Sequence, residues 1–577
     1  MTLGELRIRP SAKPQLRRAA AAAILVAALW PLAAAAPAQA AAGDLDPSFG
    51  GDGRVTTGFP GGGDQFGQAV AIQSDGKIVV AGEAFQDFAL VRYNADGSLD
   101  TTFDGDGRVR TDFGGVSENA ISIAIEPDGQ IVAAGFSSAN GDSDIAVARY
   151  DTDGGLDTGF GGTGKVLTNV SRYGSPAQDG DDFGWDVALQ PDGKIVVAGT
   201  DDENRAFEVV RYQPNGDLDA SFDGDGKQTT SFGMPHTQGR AVAIQPDLRI
   251  VVAGYAGADL NAFQFAIARY TDDGTPDGSF DDDGRRTVDF AGGDDWGEDV
   301  AVQPDGRIVV SGNTESPGSD SHFALARLDP DGGLDGSFAG DGQQAIGFGG
   351  PASGFQLAIQ PDGKLVQAGG FSASVLTSDF ALARVGSGGE LDSTFAGDGK
   401  QVTDFGGADR AADVALQADG KIVLAGLTNE GGDYDFAVAR YLGDPVGGPN
   451  GTGGPATPPG TETALRYRGR SVVRVSRTGR FALALNGPAG AAGSLALRSA
   501  RPFRIPTTKA QRRARPLRLG SKRFTFPATG RATLRFRLSR RNLRLLRRVR
   551  RLRTRATATA RAQRITFAIS LRAPARR

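Results

Sequence analysis

The chain contains no cysteine and only two histidines, His236 and His322. Without cysteine, disulfide bonds, thiol catalysis and a lipid anchor on a bacterial lipobox are all excluded. The two histidines occupy unrelated phases of the repeats described below, which excludes a histidine-rich metal site. Catalysis would have to depend on carboxylates, and the sequence singles out no pair of them.

Acidic residues are missing from positions 464–577, which contain 33 lysines and arginines. The region 41–445 is the opposite, because its 25 basic and 66 acidic residues leave 41 net negative charges. A segment rich in Gly and Pro, 446–463, separates the two and has the composition of a flexible linker. The basic region predicts binding to an anionic envelope polymer or a glycan, or docking onto the acidic region; a merely solvated basic surface is the alternative.

The first 40 residues have the layout of a secretory signal peptide. Arg17 and Arg18 precede an apolar run at 19–36, and a small-residue cleavage site ends at Ala40. The run is rich in Ala and is interrupted by Pro31, which disfavours a membrane anchor. We therefore predict a signal peptide over 1–40, export by the Sec or the twin-arginine route, and a secreted or envelope-associated protein with no transmembrane segment after cleavage.

Seven copies of a unit of about 57 residues run from Leu45 to Pro445. The copies share a box of the Leu-Asp-x-x-Phe type and a stretch resembling Pro-Asp-Gly-Lys-Ile-Val-Val-Ala-Gly, whose pattern predicts short strands around tight turns. Such small units bury their faces only by stacking on their neighbours. Four strands per unit predict an all-β fold, a seven-bladed β-propeller over 41–445.

The order of the motifs also predicts how the ring closes. The chain begins with a box, Leu45–Phe49, and its last copy ends at 436–441 without one. We therefore predict that Leu45–Phe49 forms the outer strand of the seventh blade and removes the open edges of the ring.

The arginine near the end of one strand in each unit lies opposite the aspartate of the next box, if a three-residue loop joins them. An ion pair that recurs in every blade is more simply structural than a ring of arginines for an anionic ligand, which is the alternative. The seven predicted pairs are Arg92–Asp100, Arg149–Asp157, Arg211–Asp219, Arg269–Asp277, Arg327–Asp335, Arg384–Asp392 and Arg440–Asp46.

Acidic turns follow several boxes, as in Asp104-Gly105-Asp106-Gly107, and they raise the question of a calcium site. The later bidentate Glu of a calcium loop is missing, and turns use Asp and Gly for their backbone geometry alone. We therefore predict no cofactor and no metal, with Ca²⁺ as the alternative. One tight turn departs from the pattern at Leu248, where a positive φ predicts a local distortion.

Alternating apolar residues at 534–538 and 565–571 predict strands in the basic region, with a short helix after Ser539. We predict a small β-sandwich over 464–577, which resembles the arginine-rich, Ig-like modules of secreted bacterial proteins. The repeat motifs Leu-Asp-x-x-Phe-Gly-x-x-Gly, Pro-Asp-Gly-Lys-Ile-Val-Val-Ala-Gly and Phe-Ala-Leu-Ala-Arg-Tyr resemble those of the bacterial delta-60 repeat family. This resemblance implies a β-propeller of undefined function and supplies no catalytic residues.

Together these features predict a secreted, non-catalytic, monomeric binding or scaffold protein with no catalytic or cofactor-binding residue assigned. Ligand contacts are expected at the insertions 171–182 and 316–321, where the repeats differ most. The alternative is a carbohydrate-active or lactone-type hydrolase that uses carboxylates in the central channel. Two close, desolvated carboxylates in that channel would favour the hydrolase, and scattered surface acids would favour the scaffold.

Overall fold

A computed structural model describes most of the repeat region and the strands of the basic region. The predicted signal peptide, the linker 446–463 and the helix after Ser539 lie outside the described residues, as do most of the two insertions. The described residues are 41–170, 180–201, 205–260, 262–290, 292–315, 320–374, 377–444, 466–467, 472–474, 480–486, 492–503, 515–525, 531–538, 551–560 and 563–572.

Short strands separated by tight turns make up the repeat region, as the motif pattern predicts. The strands are β1 (Arg54–Thr57), β2 (Gln65–Ile72), β3 (Ile78–Ala84), β4 (Asp87–Tyr93), β5 (Arg108–Thr111), β6 (Glu118–Ile125), β7 (Ile131–Ser137), β8 (Asp144–Tyr150), β9 (Lys165–Thr168), β10 (Asp182–Leu189), β11 (Ile195–Asp201), β12 (Ala206–Tyr212), β13 (Lys227–Thr230), β14 (His236–Ile244), β15 (Ile250–Gly257), β16 (Phe263–Tyr270), β17 (Arg285–Val288), β18 (Asp294–Val302), β19 (Ile308–Glu315), β20 (His322–Leu328), β21 (Gln343–Ile346), β22 (Ala352–Ile359), β23 (Leu365–Ser374), β24 (Thr377–Val385), β25 (Lys400–Thr403), β26 (Asp409–Leu416), β27 (Ile422–Thr428) and β28 (Asp435–Tyr441).

These strands form seven antiparallel, four-stranded sheets, which are the blades of a propeller. Blade 1 is β2–β5, and each following group of four strands is the next blade, up to β22–β25 in blade 6. The first strand of every blade is its inner strand, and the inner strands of adjacent blades lie side by side around a central channel. β2 also lies beside β26, so the ring is complete.

The seventh blade is completed by the N-terminal end of the repeat region. β26, β27 and β28 are joined by β1, which pairs antiparallel with β28 and places Arg54 opposite Ala439. The ring is therefore closed by an N-terminal strand. That strand is Arg54–Thr57, so our placement of Leu45–Phe49 in this role was wrong.

The box makes a turn where we predicted a strand. Leu45 forms a single bridge with Tyr441, and the chain then folds back on itself. The Phe49 N–H donates to the Asp46 carbonyl at 3.0 Å, and the Gly53 N–H donates to the Phe49 carbonyl at 2.7 Å. The box thus positions the strand that follows it, and the same single bridge recurs in the other six blades.

The core of the propeller lies between the blades. Seven clusters of buried apolar side chains are present, and each combines residues from two adjacent blades. The cluster at the ring closure, for example, packs Val423 and Val438 of blade 7 against Val80 and Val91 of blade 1. Because no single blade buries its own faces, the stability of each depends on its neighbours.

A β-bulge in each inner strand explains the glycine at the end of the Val-Val-Ala-Gly motif. The register of β2 on β3 shifts between Gly67 and Ala69. A Cβ placed on Gly82 of β3 would lie 1.8 Å from the Phe66 carbonyl oxygen, and in every blade the matching glycine would meet a carbonyl oxygen within 2.1 Å. Only glycine fits where the bulged backbone approaches so closely.

The unusual turn at Leu248 keeps its hydrogen bond. Leu248 adopts a φ of 75°, and its N–H donates to the Gln245 carbonyl at 2.8 Å. The glycine of blade 1 at this position, Gly76, donates to Gln73 at 2.9 Å. The expected distortion is therefore limited to a left-handed φ on a residue with a side chain.

The basic region is also built of strands. They form a three-stranded sheet and a five-stranded sheet, antiparallel except for the parallel pair β30 and β36. Within the described residues, no helix has the length and hydrophobicity needed to cross a bilayer. The strands are β29 (Arg466–Tyr467), β30 (Val472–Arg474), β31 (Arg480–Asn486), β32 (Ala492–Phe503), β33 (Arg515–Thr525), β34 (Arg531–Arg537), β35 (Arg551–Ala560) and β36 (Gln563–Arg572).

Candidate functional site

The structure brings together every arginine and aspartate of the seven predicted pairs. They lie on the box face, which we define as the side of the ring where the inner strands end in tight turns. The closest nitrogen–oxygen distances are 2.7 Å in Arg92–Asp100, 2.6 Å in Arg149–Asp157, 2.7 Å in Arg211–Asp219, 2.9 Å in Arg269–Asp277, 2.8 Å in Arg327–Asp335, 2.9 Å in Arg384–Asp392 and 2.8 Å in Arg440–Asp46.

These arginines contact the protein on several sides. Arg92 lies 4.4 Å from the ring centre of Phe103 in its own box and donates to the carbonyl of Thr152 in the next blade at 2.5 Å. Arg440 does the same across the ring closure, with Phe49 and the carbonyl of Ala95. Each blade is thereby fastened to the next, and this geometry leaves little for an anionic ligand to bind.

A second cation that sequence reasoning missed reaches most of these aspartates. It comes from the tight turn of the hairpin motif, as in Lys77, whose ammonium lies 2.8 Å from Asp100. At the closing box, burial alone would raise the pKa of Asp46, but hydrogen bonds from Ser48 and Lys421 and the charge of Arg440 lower it to about 2. The Lys of Pro-Asp-Gly-Lys is thus part of the same structural network.

The acidic turns act through their backbone geometry. Asp104 has a φ of 46°, and the Asp106 carboxylate accepts the Arg108 N–H at 2.9 Å. The equivalent carboxylate, Asp225, accepts the Lys227 N–H at the same distance. Among the described residues, the acidic groups whose oxygens converge closely enough to share a cation lie elsewhere.

Three aspartates from alternate blades face the central channel. Asp186, Asp299 and Asp413 occupy the same position in the inner strands of blades 3, 5 and 7, directly after the bulge. One oxygen of each accepts a backbone N–H of the next blade, at 2.7 Å from Val242, 2.7 Å from Leu357 and 2.6 Å from Val70. The other oxygen accepts the N–H of the following residue in its own strand.

Burial in the channel raises the pKa of all three carboxyl groups. It raises the pKa of Asp186 to about 6 and, with the charge of Asp186, that of Asp413 to about 7. The pKa of Asp299 is raised to about 8 by burial and then by Asp186 and Asp413. The three groups therefore titrate together near neutral pH, and the channel holds fewer than three negative charges at pH 7.

An aromatic and charged group lies beside these aspartates, on residues that precede them in the inner strands. We call this group the mouth cluster: Trp185, Arg240, Glu298, Phe355 and Arg410. We call the side of the ring where the inner strands begin the loop face. The Arg240 guanidinium lies 4.1 Å from the centre of the Trp185 ring, and its Nε lies 3.8 Å from Glu298. Arg410 lies 5.2 Å from the ring of Phe355.

The bulge explains why these side chains lie in the channel. Trp185, Arg240 and Glu298 are the extra residues at the bulges of β10, β14 and β18. A bulge turns its extra side chain away from the regular alternation of a strand, here out of the interface between blades. Three neighbouring blades therefore contribute side chains of different chemistry to one place.

The mouth cluster is electrostatically coupled. Burial raises the pKa of Glu298, while the charges of Arg240 and Arg410 lower it. Burial likewise lowers the pKa of Arg410, which Glu298 partly offsets. Arg240 also donates to the hydroxyl of Tyr255 at 3.3 Å. The group thus holds a partly solvent-exposed carboxylate between two arginines.

Further aromatic rings extend this surface. Phe183 stacks on Trp185 at 5.6 Å between ring centres, and Phe136 packs edge-on against Phe183 at 5.0 Å. Between blades 4 and 5, the ring centres of Phe263 and Trp296 lie 5.9 Å apart. The channel therefore has aromatic rings next to guanidinium groups.

Seven stretches of the chain match a family described as "domain of unknown function (DUF5122) beta-propeller". These seven stretches are similar to repeats of this β-propeller family. One repeat falls in each blade, and the matched residues are 73–103, 126–160, 190–222, 245–280, 303–338, 360–395 and 417–444.

Solved structures similar to this propeller differ widely in sequence. A protein of unknown function from Dyadobacter fermentans has 12% identity and a TM-score of 0.37, with 68% of this chain and 98% of that chain covered. A virginiamycin B lyase from Staphylococcus aureus has 11% identity and a TM-score of 0.37, covering 67% and 98%. A gluconolactonase from Xanthomonas campestris has 16% identity and a TM-score of 0.31, covering 57% and 94%. No curated protein matches in sequence.

Sequence reasoning missed both channel groups of this propeller. The three aspartates and the mouth cluster stand at fixed positions in the inner strands, so aligning the seven repeats on their Val-Ala-Ile ends would have revealed them. The two histidines lie in different blades, His236 in β14 of blade 4 and His322 in β20 of blade 5. The missed signal is the difference between repeats at inner-strand positions whose side chains do not pack into the core between blades.

Proposed function

We propose that this propeller is a secreted, non-catalytic binding protein whose mouth cluster holds a polar ligand at the loop face. The observation that carries the proposal is the placement of Arg240 between the ring of Trp185 and the carboxylate of Glu298. Aromatic faces beside a few charged groups in a concave site are typical of binding sites for small or extended ligands.

The chemistry of the cluster suits a saccharide that carries acidic groups. Guanidinium groups bind carboxylate or sulfate oxygens in pairs, and the rings of Trp185 and Phe355 add apolar surface beside them. Glu298 accepts hydrogen bonds from hydroxyl groups of the same ligand. We therefore name an anionic glycan as the ligand class.

The engagement of the channel aspartates supports binding over hydrolysis. Both oxygens of Asp299 accept backbone N–H groups, from Val300 at 2.6 Å and from Leu357 at 2.7 Å. Asp186 and Asp413 are held in the same way. These carboxylates join adjacent blades, so a structural role accounts for their presence without a catalytic one.

A hydrolase is the second candidate, because it requires desolvated carboxyl groups in the channel and these are present. The channel does hold desolvated carboxyl groups whose pKa values differ, about 6 for Asp186 and about 8 for Asp299. Such a pair can divide the roles of base and acid. Turnover of lactone or glycoside substrates by the wild-type chain, lost in Asp186→Asn, would establish the hydrolase.

The basic region adds a second contact in our proposal. Its 33 basic and no acidic residues would hold the protein at an anionic envelope polymer, while the acidic propeller stays in solution. Retention of the full chain on purified envelope should then fall steeply between 50 and 500 mM salt, on the order of tenfold or more. Retention that does not change with salt would contradict this part of the proposal.

The ligand proposal is tested by glycan binding to the full chain. Arg240→Ala should weaken binding of an anionic glycan about tenfold or more, the equivalent of about 1.4 kcal/mol. The control is Arg285→Ala in the outer strand of the same blade, where the arginine is exposed and pairs with Asp283. If both variants bind as the wild type does, the mouth cluster is not the site.

A further inference from the structure

Three aspartates meet at the loop face between blades 6 and 7. Asp379 stands near the start of β24, Asp404 lies in the loop after β25, and Asp409 is the first residue of β26. One carboxylate oxygen from each lies within 4.8 Å of the other two. The group joins the third strand of one blade to the inner strand of the next.

The innermost carboxylate of this group has a free oxygen. Asp409 is fully buried, and its Oδ2 accepts the Phe405 N–H at 2.6 Å. Its Oδ1 has no partner with good hydrogen-bond geometry, and the Thr428 hydroxyl on the paired strand is the one side-chain donor that lowers the pKa of the group. A buried carboxylate oxygen without a donor is costly, which points to a ligand that supplies positive charge.

The charges around the group are unbalanced. Burial raises the pKa of Asp379, and the neighbouring Asp404 and Asp409 raise it further. Burial also raises the pKa of Asp409, with Asp404 and Glu430 adding to the shift. No basic side chain is among the groups that act on either carboxyl.

The same three positions between blades 1 and 2 provide an internal comparison. Asp87, Asp112 and Glu118 also converge within 4.8 Å, but there Arg110 donates to Asp87. Glu118 accepts the N–H groups of Phe113 and Gly115, and the hydroxyl of Ser137. This group is already neutralised and hydrogen-bonded by the protein.

A single position distinguishes the two groups. Arg110 pairs across the sheet with Ala89, and the residue that pairs in the same way with Ala381 in blade 6 is Val402. Val402 is 37% exposed, so its side chain lies at the surface of the outer strand. Where blade 1 supplies an arginine, blade 6 supplies no charge.

We propose that Asp379, Asp404 and Asp409 bind a calcium ion that fastens blade 6 to blade 7. All three ligands are carboxylate oxygens, the donors that hard divalent cations prefer. Oxygens on opposite sides of Ca²⁺ stand about 4.6–5.2 Å apart, against about 4.0–4.2 Å for Mg²⁺. The three oxygens all lie within 4.8 Å of one another, which is compatible with ligation of one Ca²⁺. Mg²⁺ demands near-ideal octahedral geometry and loses its water reluctantly, so we expect it to bind more weakly at this site.

The test is calorimetric titration of the full chain with CaCl₂ after removal of metal with EDTA. We expect a site that is present in the wild type and lost in Asp404→Asn, whose side chain is exposed, so that the fold is kept. Asp112→Asn, at the equivalent position of the neutralised group, is the matched control and should bind Ca²⁺ as the wild type does. Ca²⁺ should also raise the melting temperature of the wild type and of this control by several degrees.

A second variant separates loss of the site from loss of the fold. Val402→Arg introduces the arginine that blade 1 uses, and it should abolish the Ca²⁺ site while raising the melting temperature of the metal-free chain. If Asp404→Asn and Val402→Arg both bind Ca²⁺ like the wild type, or if no Ca²⁺ binds at millimolar concentration, the proposal is wrong. Equal affinity for Mg²⁺ would overturn the choice of Ca²⁺.

Discussion

A single glutamate in blade 3 stands where the other blades have alanine. Glu208 is fully buried in β12, and neither of its carboxylate oxygens has a hydrogen-bond partner. Burial raises its pKa well above the usual value, and the charges of Asp182 and Asp201 raise it further. The equivalent residue of blade 2 is Ala146, which shows that the fold has no need of a carboxyl group here.

Replacing this glutamate should therefore stabilise the protein. We expect Glu208→Ala to raise the free energy of unfolding by about 1–3 kcal/mol, because it removes an unsatisfied buried acid. Urea unfolding at pH 7 measures the change. The reverse substitution in blade 2, Ala146→Glu, should destabilise by a similar amount, and a loss of stability in Glu208→Ala would show that the carboxyl group has a partner or ligand.

The channel aspartates make stability depend on pH in an unusual direction. The folded-state pKa of Asp299 is raised to about 8, so the folded protein keeps a proton that the unfolded chain releases near pH 4. The free energy of unfolding should therefore be highest below this window and fall as the pH rises from about 4 to 8. Asp299→Asn should reduce this decline, as measured by urea unfolding between pH 5 and 8.

The box aspartates act in the opposite sense at lower pH. The pKa of Asp46 is lowered to about 2, so its contribution is complete above about pH 4 and is lost as the pH falls towards 2. The two effects together place the maximum of stability near pH 4–5. A maximum above pH 7 would contradict the raised pKa values in the channel.

At the scale of the strand, the bulge and its glycine are the strictest requirement of the repeat. Gly82→Ala would place a Cβ 1.8 Å from the Phe66 carbonyl oxygen, so the bulge or the hairpin must shift. We expect a loss of about 3 kcal/mol or more in thermal or urea unfolding. Gly431→Ala is the control, because no atom lies within 4 Å of its added Cβ, and it should change stability by less than about 0.5 kcal/mol.

The strands also show how much of the fold could be predicted from the sequence. The hairpin motif predicts β2 and β3 because alternation and turn residues agree there, and repetition then predicts the blades. The outer strand was placed one motif too early, since Leu45–Phe49 has strand-like residues but Asp46 holds it in a turn through the Ser48 N–H at 3.0 Å. The mouth cluster escaped prediction because a bulge breaks the alternation on which strand faces are assigned.

At the scale of the whole molecule, the closing ion pair joins the two ends of the repeat region, which none of its six counterparts does. Arg440 and Asp46 are 394 residues apart in sequence, whereas Arg327 and Asp335 are eight apart. Both pairs are buried, so Arg440→Ala and Arg327→Ala should each cost about 3–5 kcal/mol. Only Arg440→Ala should also speed hydrogen exchange in β1 and β28, because only that pair fastens the ends of the ring. Equal protection of β1 in both variants would contradict this role.

The closure by β1 has a consequence for the order in which the molecule is made. The strand Arg54–Thr57 is the first of the propeller to leave the ribosome, and its partner β28 is the last. At ordinary rates of synthesis it waits roughly 20–80 s for that partner. During this time the ring cannot close, so β1 has no partner strand until the end of the repeat region has been made.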